Sequence, residues 1–113
     1  VNLDMVARGP LWAAGTAHYP HLGRLFQAAG LDLRYGHDEG TGADNWTGAS
    51  DHAVFHRQGV PFVYFGVEDH ADYHAPTDDA ARIDPAVFAH NVDTVIEAVR
   101  VLDRRHAELV AGR

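Results

Sequence analysis

The chain has 113 residues, of which 46% are hydrophobic, and this length and composition predict one compact globular domain. Its formal net charge is −7 with only nine lysines and arginines, which argues against a nucleic-acid-binding surface. No apolar run approaches the roughly 20 residues of a membrane span, and the absence of cysteine excludes disulfides and thiolate metal sites.

Strand and helix patterns alternate along the chain. Strands are predicted at residues 1–6, 11–16, 31–35 and 60–67. Helices are predicted at residues 20–29 and 50–58 and from Asp84-Pro85 to about Leu102, with Ser50 and Asp84 as N-caps. Residues 36–48 form a glycine-rich loop. This order predicts an α/β fold with a partly parallel mixed sheet flanked by helices.

Three polar segments follow predicted strands. Asp4 lies near the end of the first strand, Ser50-Asp51-His52 follows the glycine-rich loop, and residues 70–79 follow the most apolar strand. Ligands in open α/β sheets bind beyond the carboxyl ends of the strands, so parallel strands would bring these segments to one rim. The alternatives are structural: Asp4 capping a turn or pairing with Arg8, and acidic side chains capping local backbone.

Histidine and carboxylate side chains dominate these segments. The chain has nine histidines, and His70 and His74 stand among five carboxylates in residues 68–79. Such ligands without cysteine suit a catalytic zinc, manganese or cobalt site better than a structural zinc site. The H-E-x-x-H pattern of helical zinc sites is absent from the sequence.

Three longer motifs resemble one enzyme family. The stretches NLDMVARG (from Asn2), SDHAVFHRQGVPFVYF (from Ser50) and DYHAPTDDAARID (from Asp72) occur in the order and spacing of the M28 family of zinc peptidases. The resemblance extends from Val1 to about Leu102. It implies a zinc-exopeptidase-like fold, incomplete at the N-terminal side, in which residues 1–113 are the C-terminal portion of a single peptidase domain.

The resemblance also implies site residues. The family binds two zinc ions, and by motif Asp4 would be a ligand of one and His74 a ligand of the other. Tyr73 matches a tyrosine that donates a hydrogen bond to the developing oxyanion in some members. Behind these residues or facing the substrate, the resemblance places a further set: Ser50, Asp51, His52, His70 and Asp78, the last of which would orient His74 or its loop.

The implied function is that of an aminopeptidase: in the complete enzyme, metal-activated water attacks the first peptide bond of a substrate with a free N-terminus. The family takes its remaining ligands and its general base from a region upstream of NLDM, and this chain lacks that region. We therefore expect the chain alone to be inactive. Many relatives are exported, which favours an extracytoplasmic location.

Two alternatives stay open. A glutaminyl-cyclase-like relative would use a single zinc ion, and the DH-x-x-F pattern at Asp51 fits it as well. A non-catalytic, truncated module would instead bind a partner or metal through its histidine-rich rim. The exposed sheet edge of such a truncated module would also favour self-association.

Overall fold

The protein is described by a computed structural model that covers residues 1–40 and 42–111. The β-strands are Asn2–Leu3 (β1), Trp12–Ala14 (β2), Arg34–Tyr35 (β3) and Tyr64–Gly66 (β4). The α-helices are Pro20–Ala28 (α1), His52–Arg57 (α2), Pro85–Arg104 (α3) and His106–Ala111 (α4). Short 3₁₀ turns occupy Gly42–Asp44 and Ala80–Arg82.

The four strands form one mixed sheet in the order β1-β4-β2-β3, which confirms the predicted fold class. β1 runs parallel to β4, β2 runs parallel to β3, and β2 runs antiparallel to β4. The strands are shorter than predicted. In particular, the apolar run at residues 60–67 is ladder-paired over Tyr64–Gly66 alone, although the run is buried from Phe62 to Val67.

The two faces of the sheet carry separate apolar clusters. On one face, Phe65 packs against Phe26 of α1 and the α3 residues Val95 and Ala98, so that α1 and α3 form a single covering layer. On the other face, a smaller cluster contains Ala14, Phe62 and Tyr64, with Trp46 of the glycine-rich loop against it. The loop therefore covers the face of the sheet that α1 and α3 leave open.

The predicted helix starts are right in two cases and wrong in one. Pro20 begins α1, and the Asp84 carboxylate caps α3 by accepting hydrogen bonds from the backbone N–H groups of Ala86 and Val87. Ser50 is not an N-cap, because α2 begins after Asp51 and the Ser50 hydroxyl donates elsewhere. In the described part of the chain, no helix is long and apolar enough to cross a membrane.

The position of Gly15 requires glycine. Its φ is +114°, and a Cβ there would lie 2.8 Å from the backbone oxygen of Phe62. Its N–H donates to the buried Asp38 carboxylate at 2.8 Å, which also accepts the N–H of Ala17. The start of the glycine-rich loop is thereby joined to the exit of β2.

We expect Gly15→Ala to lower the free energy of unfolding by about 2–4 kcal/mol, because left-handed strain adds to a backbone clash. Gly30→Ala is the matched control: Gly30 also has a positive φ, +69°, but a Cβ there meets nothing within 4 Å. That control should cost about 1 kcal/mol. Urea unfolding of both variants measures the difference, and equal losses would contradict the clash.

Candidate functional site

Asp4 lies at the exit of β1, beside the end of β4. Its backbone N–H donates to the carbonyl of Phe65 at 3.2 Å, and Met5 then turns the chain away with a φ of 59°. Since side chains alternate along a strand, Asn2 and Asp4 share one side of β1. The Asp4 carboxylate is exposed, while the Asn2 side chain is partly buried behind it.

A chain of hydrogen bonds runs from Asp4 into the protein. The Ser50 hydroxyl donates to Asp4 Oδ2 at 2.9 Å and accepts from Asn2 Nδ2 at 3.0 Å. The same Asn2 amide lies 3.2 Å from His52 Nδ1, and His52 Nε2 lies 2.8 Å from the carbonyl oxygen of Trp46. Three side chains, those of Ser50, Asn2 and His52, thus hold one Asp4 oxygen in place, and the backbone carbonyl of Trp46 ends the chain.

His52 is the buried end of this chain. Only 2% of its surface is exposed, and its ring stacks on Phe62. The Trp46 carbonyl can only accept a hydrogen bond, so Nε2 carries the proton and Nδ1 accepts from Asn2. Burial lowers the pKa of His52 below its ordinary value, because the charged ring would lose its water. The neutral ring is the form that this geometry requires.

Arg8 joins the loop after β1 to the acidic loop after β4. Its guanidinium donates to Asp72 Oδ2 at 2.8 Å and to Asp78 Oδ1 at 3.1 Å. The Thr77 hydroxyl donates to the other Asp72 oxygen at 2.6 Å, and this hydrogen bond, followed by that of Arg8, lowers the pKa of Asp72. Arg8 therefore does not pair with Asp4, which excludes one structural interpretation of Asp4.

These contacts place Asp4 and the acidic loop around one cleft of about 380 Å³. The glycine-rich loop forms its other wall through Trp46 and the backbone around it. Among the lining residues are Asp4, Trp46, Tyr64, Asp69 and Tyr73. Burial, followed by the nearby Asp4 carboxylate, raises the pKa of Tyr64 to about 12, so its hydroxyl stays protonated and donates to the Asp4 carbonyl at 3.2 Å.

His74 stands beside this cleft without lining it. Its side chain is exposed, its φ is 55°, and its ring centroid lies 4.0 Å from that of Tyr73. The turn that carries both residues is closed by the N–H of Ala75 donating to the Asp72 carbonyl at 2.9 Å. The structure therefore brings Asp4 and Tyr73 to one cleft, with His74 adjoining it.

The remaining predicted residues fall into two groups. Ser50 and His52 act behind Asp4, as described above. His70 and Asp78 belong to the Arg8 cluster: His70 Nε2 lies 3.8 Å from Asp78 Oδ1, and its Nδ1 accepts the N–H of Asp72 at 3.3 Å. Asp78 thus holds the loop rather than the His74 ring. Asp51 is exposed at the start of α2.

Comparison with known proteins gives one match. The model of peptidase family M28 matches residues 1–99. The chain belongs to peptidase family M28. No curated protein and no solved structure matches it.

Family M28 consists of metallopeptidases, which are hydrolases and generally depend on zinc. In residues 1–40 and 42–111, no group of three or more histidine and carboxylate side chains is placed to hold a metal ion. A catalytic zinc ordinarily takes three protein ligands, so the described residues of this M28 chain do not form a complete zinc site. The Asp4 carboxylate is nevertheless preoriented, which suits one oxygen ligand.

Sequence reasoning missed Asn2, Tyr64 and the carbonyl of Trp46. Asn2 stands two residues before Asp4, so strand alternation alone could have placed it behind that carboxylate. Tyr64 is the one residue with a polar tip inside the apolar run of this M28 chain, and a buried phenol normally finds a partner. A role for a backbone carbonyl leaves no trace in the sequence.

We expect His52→Phe to keep the ring packing but lower the free energy of unfolding at pH 7.5 by about 1–3 kcal/mol, because two polar groups lose their partner. A lowered pKa in the folded state contributes stability that is complete above pH ~6.5 and lost as pH falls. The difference in the free energy of unfolding between wild type and His52→Phe should therefore narrow as the pH falls from 6.5 to 5.

Thermal unfolding between pH 5 and pH 8 checks this expectation. The matched control is His90→Gln, since His90 is exposed on α3 and pairs with the exposed Asp32. A constant difference between wild type and His52→Phe across this range would contradict a neutral buried ring.

Proposed function

We propose that this chain carries part of the active site of a zinc aminopeptidase, a hydrolase of the first peptide bond of substrates with a free N-terminus. Asp4 and His74 each contribute a ligand, one to each of two zinc ions, and the remaining ligands and the general base come from outside this chain. The reaction class rests on membership of family M28. The observation that carries the proposal is the cleft shared by Asp4, Asp69 and Tyr73.

The walls of the cleft suit an N-terminal residue of a peptide. Asp69 is exposed at the rim, and its carboxylate attracts the ammonium group of a free N-terminus. Met5, Trp46 and Val67 supply apolar surface for the first side chain. This combination of one uncommitted carboxylate and an apolar wall favours an exopeptidase over an enzyme that cleaves within a chain.

Tyr73 has the chemistry of an oxyanion donor. Its side chain is 40% exposed and lines the same cleft as Asp4. A phenol hydroxyl donates a hydrogen bond to the oxygen on which negative charge develops when a peptide carbonyl is attacked. Ser50 contributes indirectly, because its hydroxyl leaves only Asp4 Oδ1 and the remaining lone pair of Oδ2 for a ligand.

A non-catalytic module is the second candidate, and one observation favours it. The described residues hold no set of three metal ligands, so the chain on its own lacks the machinery for hydrolysis. A module of this kind would use the same acidic cleft to bind a partner or a weakly held metal ion. Turnover by a complete enzyme that contains this chain would decide between the two.

Zinc titration by calorimetry tests the assignment of ligands. We expect weak binding to the isolated chain, because each ion would find about one ligand here, and we expect Asp4→Ala and His74→Ala each to reduce it further. The matched control is Asp69→Ala, which removes a carboxylate from the same cleft but not a proposed ligand. Binding that is insensitive to both ligand variants would contradict the assignment.

The same samples test whether the chain is inactive alone. We expect no chelator-sensitive release of the leaving group from aminoacyl substrates by the 113-residue chain. Clear turnover that zinc chelation abolishes would mean that a complete site assembles from these residues, for instance between two copies.

We also propose that the chain associates with itself through the edge formed by β1. β1 is the terminal strand of the sheet, and Val1 and Leu3 are 63% and 50% exposed. Unpaired strand edges with apolar side chains favour pairing with another chain.

We expect Leu3→Lys to shift the sedimentation profile towards monomer at high protein concentration, because a lysine on an edge strand opposes pairing. Gln27→Lys adds the same charge on the exposed surface of α1 and should leave the profile unchanged. A wild-type protein that stays monomeric at every concentration would refute self-association.

A further inference from the structure

The glycine-rich loop, residues 36–48, forms one wall of the cleft. All of it except Thr41 is described, and Gly42, Ala43, Asn45, Trp46 and Gly48 line the cleft directly. Apart from its 3₁₀ turn, the described residues of the loop have no regular structure. Besides the N–H of Trp46, which donates to the His37 carbonyl at 2.6 Å, side-chain contacts hold this wall relative to Asp4 and Tyr73.

His37 is the centre of these contacts. Its Nδ1 lies 2.9 Å from the carbonyl oxygen of Asp44, and its Nε2 lies 3.0 Å from Glu68 Oε1 in the segment after β4. Its ring stacks on the Trp46 indole with a centroid distance of 3.9 Å and an interplanar angle of 8°. The edge of Trp12 in β2 lies against the same ring, 4.4 Å between centroids.

Both ring nitrogens of His37 face groups that only accept hydrogen bonds. A neutral imidazole has one N–H, so it can donate to the Asp44 carbonyl or to the Glu68 carboxylate but not to both. The imidazolium has two N–H groups and satisfies both acceptors at once.

We propose that His37 is a positioning residue that, as an imidazolium, latches the glycine-rich loop to Glu68 and so positions the part of the wall at residues 42–45 relative to Tyr73. The carbonyl of Trp46 is held separately by His52. As pH rises and the ring loses one proton, one of its two contacts is lost and the wall loosens. This role deepens the proposed aminopeptidase function and rests on it, because it assumes that the cleft receives the substrate.

The charges around His37 are consistent with this latch. Glu68 faces the ring from the segment after β4, and Trp12 faces it from β2 without a charge. On the loop itself, Asp44 offers its carbonyl, while the adjacent Asp38 carboxylate accepts the N–H groups of Gly15 and Ala17. The Glu68 side chain is 57% exposed, so the latch is weak enough to open.

The test uses the fluorescence and NMR spectra of the 113-residue chain without metal or substrate. Both tryptophans contact His37, and a protonated imidazole quenches an adjacent indole. We expect tryptophan fluorescence to rise in one step between about pH 5 and 8. The ring nitrogen shifts of His37 should show two N–H groups below that step and one above it, and the amides of Gly42, Asn45 and Gly48 should shift with it.

Three variants separate the latch from general effects of pH. His37→Asn should abolish the fluorescence step while tolerating the left-handed backbone at this position, where φ is 57°. Glu68→Ala removes one acceptor and should reduce the shift of the loop amides. His90→Gln changes an exposed histidine on α3 and should leave the step unchanged.

A neutral His37 ring throughout pH 5–8, or a step that persists in His37→Asn, would overturn the latch. Ring titration without movement of the loop amides would equally overturn it, because His37 would then not position the wall. None of these outcomes depends on zinc or on turnover. Failure of the latch therefore leaves the aminopeptidase proposal standing, and failure of the aminopeptidase proposal leaves the latch measurable.

Discussion

The bridge from Arg8 to Asp72 and Asp78 is the interaction on which the candidate site depends. It joins the loop after β1 to the loop after β4, two segments that are more than 60 residues apart in sequence. Asn91 of α3 fixes the first of these loops by donating to the carbonyls of Val6 and Gly9 at 2.9 and 3.0 Å. Because Tyr73 and His74 directly follow Asp72, one guanidinium brings both of them to Asp4.

Below this bridge, the Asp4 carboxylate is supported by hydrogen bonds from neutral groups rather than by ion pairs. The Ser50 hydroxyl, the Asn2 amide and the neutral His52 ring lead from the exposed Asp4 carboxylate to a buried backbone carbonyl. Burying a neutral imidazole whose two nitrogens are satisfied avoids the cost of burying a charge. The carboxylate can thus be held in one orientation while its charge remains at the surface, available to a cation.

The sequence predicted the alternation of elements, the mixed sheet and the caps of α1 and α3, because these depend on local patterns around Pro20, Asp84 and Pro85. It failed where tertiary contacts override a local preference. Serine is a favoured N-cap residue, but the Ser50 hydroxyl donates its hydrogen bond to Asp4 instead. The prediction that the polar segments meet at one rim assumed parallel strands, but β3 runs antiparallel to β4. The glycine-rich loop reaches the cleft because His37 and Trp46 stack on each other and hold it there. The direction of the preceding strand could not predict that contact.

The two walls of the cleft are held with different strength, and this difference determines how the site can respond. The acidic loop is fixed by Arg8 and Thr77 around Asp72, which is 9% exposed and keeps its charge well below neutral pH. The glycine-rich loop is held to the body of the protein through the buried Asp38 at its start, through the buried His52 at the Trp46 carbonyl, and through the solvent-exposed Glu68. In the proposed latch, loss of a proton from His37 loosens the wall at residues 42–45, while His52 still holds the Trp46 carbonyl. The proposed latch does not include the wall that carries Tyr73 and His74, because Arg8 and Thr77 hold Asp72 without His37. Opening of the latch would therefore leave these two side chains where they are.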